Sequence, residues 1–234
     1  MKKIRIDLFR RRTRISFSHL FAIALVAFST AQNRHSPPPA LTQPADCNQP
    51  MLPNRLNQPL LEQTLLYCTN RTRQKHHLHL LRANESLHRA ASAHSKEMAI
   101  LNYFDHESPV KENRQLMDRL KNACLPLGNT MFGENIGVDY FLKIAKVGFY
   151  TEYAEGEIRY INAETKEPIP YQTYLEFASS MVNGWMKSPG HRKNLLHPIF
   201  HSIGIGVQAG TFRGLPALYV TQNFIGPIEP KEKQ

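Results

Sequence analysis

The sequence predicts an α+β domain, and three observations carry that prediction. Between Leu60 and Trp185, apolar residues recur at the i, i+3, i+4 spacing of half-buried helices. From Ile203 to Phe224 they alternate instead, in two runs joined around Gly210 to Gly214, as in an antiparallel hairpin. Between the two regimes stands Ser188-Pro189-Gly190, a forced break directly before a histidine.

Residues 1–31 read as a targeting leader. Lys2, Lys3, Arg5, Arg10, Arg11, Arg12 and Arg14 precede an apolar stretch from Leu20 to Phe28 that ends in Ser29-Thr30-Ala31. The leader is either cut after Ala31 or, if the stretch is counted from Ile15, kept as an anchor. It dominates the charge: the chain is +10 with a pI near 9.6. Residues 1–31 hold seven basic residues and one acid, which leaves 22 basic against 18 acidic, a net of +4. A nucleic-acid reading based on overall basicity therefore loses its support, because phosphate binding needs a clustered basic face.

Residues 32–59, with Pro37-Pro38-Pro39, Pro44, Pro50, Pro53 and Pro59 among Gln, Asn and Ser, read as an extended linker with little to bury. Leu60, Leu61, Thr64, Leu65 and Cys68 predict a first helix ending near Arg73. Asn84 is the N-cap of a second, running to about Tyr103, with Leu87, Ala90, Ala91, His94, Met98 and Leu101 on one face. After Pro109 a shorter third helix turns Leu116, Leu120 and Ala123 inward, and a loop leads from Leu125 to Gly133-Glu134-Asn135-Ile136-Gly137. Residues 145–172 read as a hairpin insertion, whose tyrosines form either a recognition surface or ordinary cross-strand pairs.

Tyr174, Phe177, Ala178, Met181, Val182 and Trp185 give a helix with a wide buried face, ended by Pro189 and Gly190. In the hairpin that follows, Gly204 and Gly206 strip one face of side chains, so a helix or backbone can approach closely. The domain spans 60–226 and is followed by a tail over 227–234. Of the three cysteines, one bridge and one free thiol is the simplest outcome. A Cys47–Cys68 bridge would pin the linker to the first helix, and Cys124 reads as a small buried hydrophobe.

His191 follows the Pro-Gly turn at the start of a short helical stretch, Arg192 to Leu196, where unpaired N–H groups and the helix dipole oppose a positive charge. It should tend to be neutral, the form that binds a metal or accepts a proton, although a hydrogen bond across the turn is a simpler use of it. His106-Glu107 begins like a zincin motif but Val110 breaks it. His77 and His79 read as part of an exposed connector, and Pro198 separates His197 from His201. Ser188 lacks an identifiable oxyanion site or orienting acid, so it reads as a turn or cleft-lining residue.

The segments "LHRAASAHSKEMAILNYFDHESP", "GENIG", "WMKSPGHRKNLL" and "YVTQNF" together resemble the CAP superfamily, the cysteine-rich secretory, antigen and pathogenesis-related proteins, in its bacterial SCP-like form. The resemblance implies an α-β-α sandwich with a small antiparallel sheet between helices, and a cleft lined by two His and two acidic residues. Carried onto this chain, the cleft residues are His106, Glu134 and His191, with Ser188 where many relatives have the second acid. With the leader, this gives an exported chain, periplasmic or extracellular, or anchored if the leader stays uncut, with no membrane span in the mature chain; it is expected to be a monomer that binds an unknown protein, cell-wall or lipid partner. In that reading the His106 and His191 imidazoles can hold Zn²⁺ or another divalent cation. The alternative is a metal-dependent hydrolase, peptidase or esterase, with Glu134 as general base to a metal-bound water.

Overall fold

A computed structural model describes residues 41–144, 148–154 and 156–227. The leader and residues 228–234 of the C-terminal tail lie outside the described residues, while Pro227, expected in the tail, is the last residue of a strand. Among the described residues there are five α-helices: α1 (Gln58–Lys75), α2 (Glu85–Ile100), α3 (Leu116–Asn122), α4 (Tyr174–Lys187) and α5 (Pro189–Leu195). Each of the longer helices starts on a residue that satisfies an orphan N–H. Asn57 accepts from Leu60 N–H and Asn84 from Leu87 N–H, while Thr173 and Glu176 close a capping box at α4.

The strands are β1 (Arg82–Ala83), β2 (Thr130–Tyr140), β3 (Phe149–Ala154), β4 (Glu157–Asn162), β5 (Ser202–Phe212) and β6 (Leu215–Pro227). A four-stranded sheet has the order β1-β5-β6-β2, and β3-β4 form a separate hairpin. The β2–β6 and β5–β6 pairings are antiparallel. The two-residue β1 is the exception, running parallel to β5 with Arg82 opposite Ser202. The loop expected from Leu125 ends at Thr130, where β2 begins, and Gly133–Gly137 lie within this strand.

The layers are α-β-α, and the alternation of β5 and β6 explains why. Ile203, Ile205, Val207, Leu218, Val220 and Phe224 share a core with Leu61 and Leu65 of α1 and Phe177, Met181 and Trp185 of α4. On the opposite face Gly204 and Gly206 let α2 settle onto the sheet backbone. A Cβ at Gly204 would lie 2.0 Å from Leu87 C, and one at Gly206 would lie 2.2 Å from Ser92 N. Ser95 of α2 completes this contact, donating its one hydroxyl hydrogen to Gly206 O (3.0 Å) and accepting from the Thr221 hydroxyl (2.9 Å).

Two sequence readings are corrected here. Residues 44–52 are not a solvated linker: Cys47 and Met51 are buried, and the segment is hydrogen-bonded along the start of α4. Leu175 N–H donates to Cys47 O (2.8 Å) and Met51 N–H to Gln172 O (2.8 Å), so the backbone finds partners where the prolines discouraged a helix. Cys124 is exposed, with a free thiol and a φ of 55° just past the end of α3, so chain reversal rather than packing sets its place. Cys47 and Cys68 share the core as free thiols.

Arg73 is the least expected core residue, fully buried near the end of α1. It donates to the carbonyls of His79, Leu195, His197 and Phe200 (2.9–3.2 Å), tying α1 to the chain after α5. Burial lowers its pKa to about 10, still far above neutrality, so the cation persists.

The close approach at α2 is testable. Gly206→Ala should destabilise the domain by about 3 kcal/mol or more, because backbone rather than a flexible side chain occupies the space. Denaturant unfolding would show this as a lower midpoint at unchanged slope.

Candidate functional site

Glu134 enters the site from β2, opposite Asn223 of β6. Its side chain is only 5% exposed, and a carboxylate so placed needs compensation. Arg119 of α3, itself 1% exposed, supplies it. One guanidinium nitrogen donates to both carboxylate oxygens, at 2.9 and 2.7 Å. With its amide turned to satisfy its surroundings, Asn223 donates to Oε2 (3.1 Å) and accepts from Ala91 N–H.

His106 is the third donor, with Nδ1 2.8 Å from Glu134 Oε1. A carboxylate only accepts, so the proton is on Nδ1, and a neutral ring keeps its Nε2 lone pair. Burial alone would raise the Glu134 pKa. The His106 hydrogen bond and the charges of Arg119 and His94 outweigh burial and bring it to about 2.

The loop carrying His106 is clamped from two sides. Arg119 donates to Asn113 O (2.9 Å) and His106 O (3.2 Å), so the cation that pairs with Glu134 also fixes the histidine's backbone. Glu97 of α2 accepts from Ser108 Oγ (2.7 Å), Tyr103 Oη (3.4 Å) and the Asn113 amide. Below the loop sits His94, fully buried, with Nδ1 3.3 Å from Tyr103 Oη. Its Nε2 has no partner among the described residues. Burial is the main cause that lowers the His94 pKa to about 4, against the opposing pull of Glu134.

His191 arrives from the other side. The Ser-Pro-Gly segment does not merely break a helix: Pro189 and Gly190 are the first residues of α5, and His191 is its third. Asn194 Nδ2 donates to Glu134 O and to Asn135 Oδ1, both at 3.0 Å. Trp185 Nε1 donates to Ile136 O at 2.9 Å. These bonds hold α4 and α5 along the outer edge of β2.

The His191 and His106 rings are thereby brought to 6.4 Å between centroids, tilted by 46°. Burial, with the His106 charge adding to it, lowers the His191 pKa to about 4. The neutral ring expected from the helix terminus thus has burial as its principal cause. His191 Nε2 is buried without a partner among the described residues. Ser188 is half-buried at the α4–α5 junction, and its side chain makes no capping bond.

The structure therefore brings His106, Glu134 and His191 together, with Glu134 oriented toward Arg119 and His106. Among the described residues no group of three or more His, Cys, Asp or Glu is arranged to hold a metal ion. Two imidazole nitrogens, the orphaned Nε2 of His191 and the Nε2 of His106, are the donors a divalent cation could use.

Arg119, Glu97, Tyr103, Asn194 and Asn223 were not identified from the sequence as site residues. Arg119 carried a signal: it is three residues after Leu116 and four before Ala123, on the inward face of an amphipathic helix, where a cation requires a buried partner.

With this geometry in place, the comparisons with known proteins identify the chain. The sequence profile of the cysteine-rich secretory protein family, CAP, matches residues 66–224, and the chain belongs to that family. The Bacillus subtilis (strain 168) protein YkwD is 32% identical over 166 residues, covering 70% of this chain and 47% of YkwD. The B. subtilis membrane protein YlbC is 29% identical over 164 residues, covering 70% of this chain and 34% of YlbC. The chain thus matches half or less of the length of these relatives. A solved extracellular protein containing an SCP domain, from Bacillus anthracis str. Ames, has 27% identity and a TM-score of 0.47, over 72% of this chain and 41% of that one. Among the described residues no helix is long and apolar enough to cross a membrane.

The ion pair and the buried histidines give two expected outcomes. Arg119→Met should cost about 3–5 kcal/mol, since Glu134 is left charged and buried, and chemical denaturation measures it. The folded pKa values of His94 and His191 lie near 4, below the ordinary 6.5, and that of Glu134 lies near 2, below 4.5. In each case the unfolded chain binds protons first, so stability is complete above about pH 6.5 and falls on acidification. The histidine contribution is lost between about pH 6.5 and 4, and that of Glu134 between about 4.5 and 2. In a pH series of unfolding midpoints, His94→Gln should flatten the upper window.

Proposed function

We propose that this chain is an exported interaction module of the CAP family, whose His106/His191 cleft binds its partner rather than hydrolysing it. The observation that supports this most directly is the state of Glu134. Both carboxylate oxygens are bound by Arg119 and one also by His106, and the pKa near 2 makes it a poor proton acceptor at neutral pH. A carboxylate in this position orients His106 and fixes its tautomer, as an outer partner of a ligating imidazole does.

The leader-like residues 1–31 support export, and the partner would be a protein, cell-wall or lipid component met outside the cytoplasm. A divalent cation such as Zn²⁺ would be held by His106 and His191 as a two-imidazole site completed by water or by a group from the partner, with the rings drawn closer than their present 6.4 Å. Such a site is weak alone, so the cation would strengthen partner binding rather than hold the fold. Ser188, adjacent in sequence to the helix that carries His191, would line the rim.

Two measurements test this reading. Purified protein should show no turnover of peptide or ester substrates above that of Glu134→Gln and His191→Ala; turnover lost in both variants would establish the hydrolase instead. Saturating Zn²⁺ should raise the thermal midpoint by about 5–10 °C at a concentration near 100 times its Kd. That shift should vanish in His106→Ala and His191→Ala, and equal shifts in all three proteins would remove the cation from the cleft.

A further inference from the structure

α5 presents its other side to solvent, and the surface there differs sharply in charge from the rest of the molecule. Residues 63–84 contain no Asp or Glu, and neither do residues 177–228. These acid-free stretches are distant in sequence, but Arg73 brings them side by side through its bonds to Leu195 O, His197 O and Phe200 O. The exposed rings of His79 and His201 stack across the junction at 4.2 Å, and His79 Nε2 bonds Phe200 O at 2.6 Å.

Beside this seam lies an open hollow of about 370 Å³ lined by Pro189, Arg192, Lys193, Leu196, His197 and Pro198. Arg192 and Lys193 are exposed on its wall. His197 senses the cationic surroundings: burial is the first cause that lowers its pKa, and the charges of Lys193 and Arg73 follow.

We propose that this hollow and the seam of His79 and His201 form a binding surface for a linear phosphate polymer. The argument is one of charge and shape. Arg192 and Lys193 offer a planar fork and a mobile ammonium to phosphate oxygens, with no carboxylate from either stretch to compete. Without a ligand their mutual repulsion is relieved only by water and salt, so a polyanion gains more here than on a surface of mixed sign.

The occupant is a flexible polymer rather than a membrane, because the surface is a hollow whose apolar lining is two prolines and Leu196, and Leu196 is only partly exposed. The strongly exposed hydrophobic residues among those described, such as Ile100, Leu101, Tyr153 and Ile158, lie outside both stretches. The rings of this surface are the imidazoles of His79, His197 and His201, and the hollow has no Phe, Tyr or Trp on which nucleic-acid bases would stack. This surface is independent of the cleft reading, since His191 and Asn194 point from α5 toward β2 while Arg192 and Lys193 point away. It also supplies the clustered basic face that the net charge outside the leader, +4, does not reveal.

The test uses the full chain, with Arg10, Arg11, Arg12 and Arg14 changed to Gln so that the basic leader does not itself capture polymer. Binding of fluorescently labelled inorganic polyphosphate should weaken about tenfold or more as salt rises from about 50 to about 200 mM. Arg192→Glu combined with Lys193→Glu should weaken it at least about tenfold, and the corresponding Gln pair by less. Lys96→Glu combined with Lys121→Glu makes the same change in net charge on other faces and should leave affinity within about twofold. Equal losses in the two Glu pairs would overturn the proposal, because net charge alone would then explain the binding. So would tighter binding to phosphatidylglycerol vesicles, or to duplex DNA of equal phosphate content, than to polyphosphate. Unchanged thermal midpoints in the exposed variants establish that the fold is intact.

Discussion

The buried pair of Glu134 and Arg119 is the constraint on which the rest of the site depends. Neither charge could be where it is without the other, because an isolated ion at that depth is penalised by several kcal/mol. The pair is also a junction of elements distant in sequence. Glu134 belongs to β2, Arg119 to α3, and the same guanidinium holds His106 O in the loop between α2 and α3. The position of the cleft imidazole is therefore a consequence of charge neutralisation beneath the surface. Glu97 repeats the device nearer the surface, gathering Ser108, Tyr103 and Asn113 into the same loop.

The other half of the cleft is positioned by neutral hydrogen bonds. Trp185 and Asn194 each donate to a carbonyl of β2, two residues apart, and the intervening Ser-Pro-Gly turns the chain sharply enough for both to reach. This explains why a lone tryptophan, a forced turn, a histidine and an asparagine crowd into ten residues. α4 must deliver an indole and α5 an amide to one strand, and His191 is carried between them. Glycines complete the fit: a Cβ at Gly133 would lie 2.9 Å from Phe200, and one at Gly137 would lie 2.3 Å from Met181 Sδ.

Those same glycines explain what the sequence concealed. The periodic faces of α1, α2 and α4 and the alternation of β5 and β6 were legible because side-chain pattern and burial coincide there. β2 was not, since Gly133 and Gly137 remove the side chains whose alternation would mark a strand, and its partners are supplied by β6 and α5. Residues 44–52 were misread for the opposite reason: prolines correctly exclude a helix, but a turn and the chain after it can still set Cys47 and Met51 into the core when the start of α4 offers their backbone partners. At the site, the three cleft residues came from family resemblance, since their separations in sequence carry no periodic signal. The role of Glu134 required coordinates, because only they place a cation on its carboxylate.

The side chains that occupy the outer carbonyls of β2 have a consequence beyond placing a histidine. An open sheet margin invites a strand from another molecule, and long unprotected margins are where β-proteins begin to aggregate. Here two carbonyls of the β2 margin are occupied by indole and amide groups, while on the opposite margin the two-residue β1 covers Ser202 and Ile203 of β5 and His88 of α2 bonds Ile205 O. At the β2 margin the two carbonyls that a strand from another molecule would need are therefore already spent on side chains of the same chain.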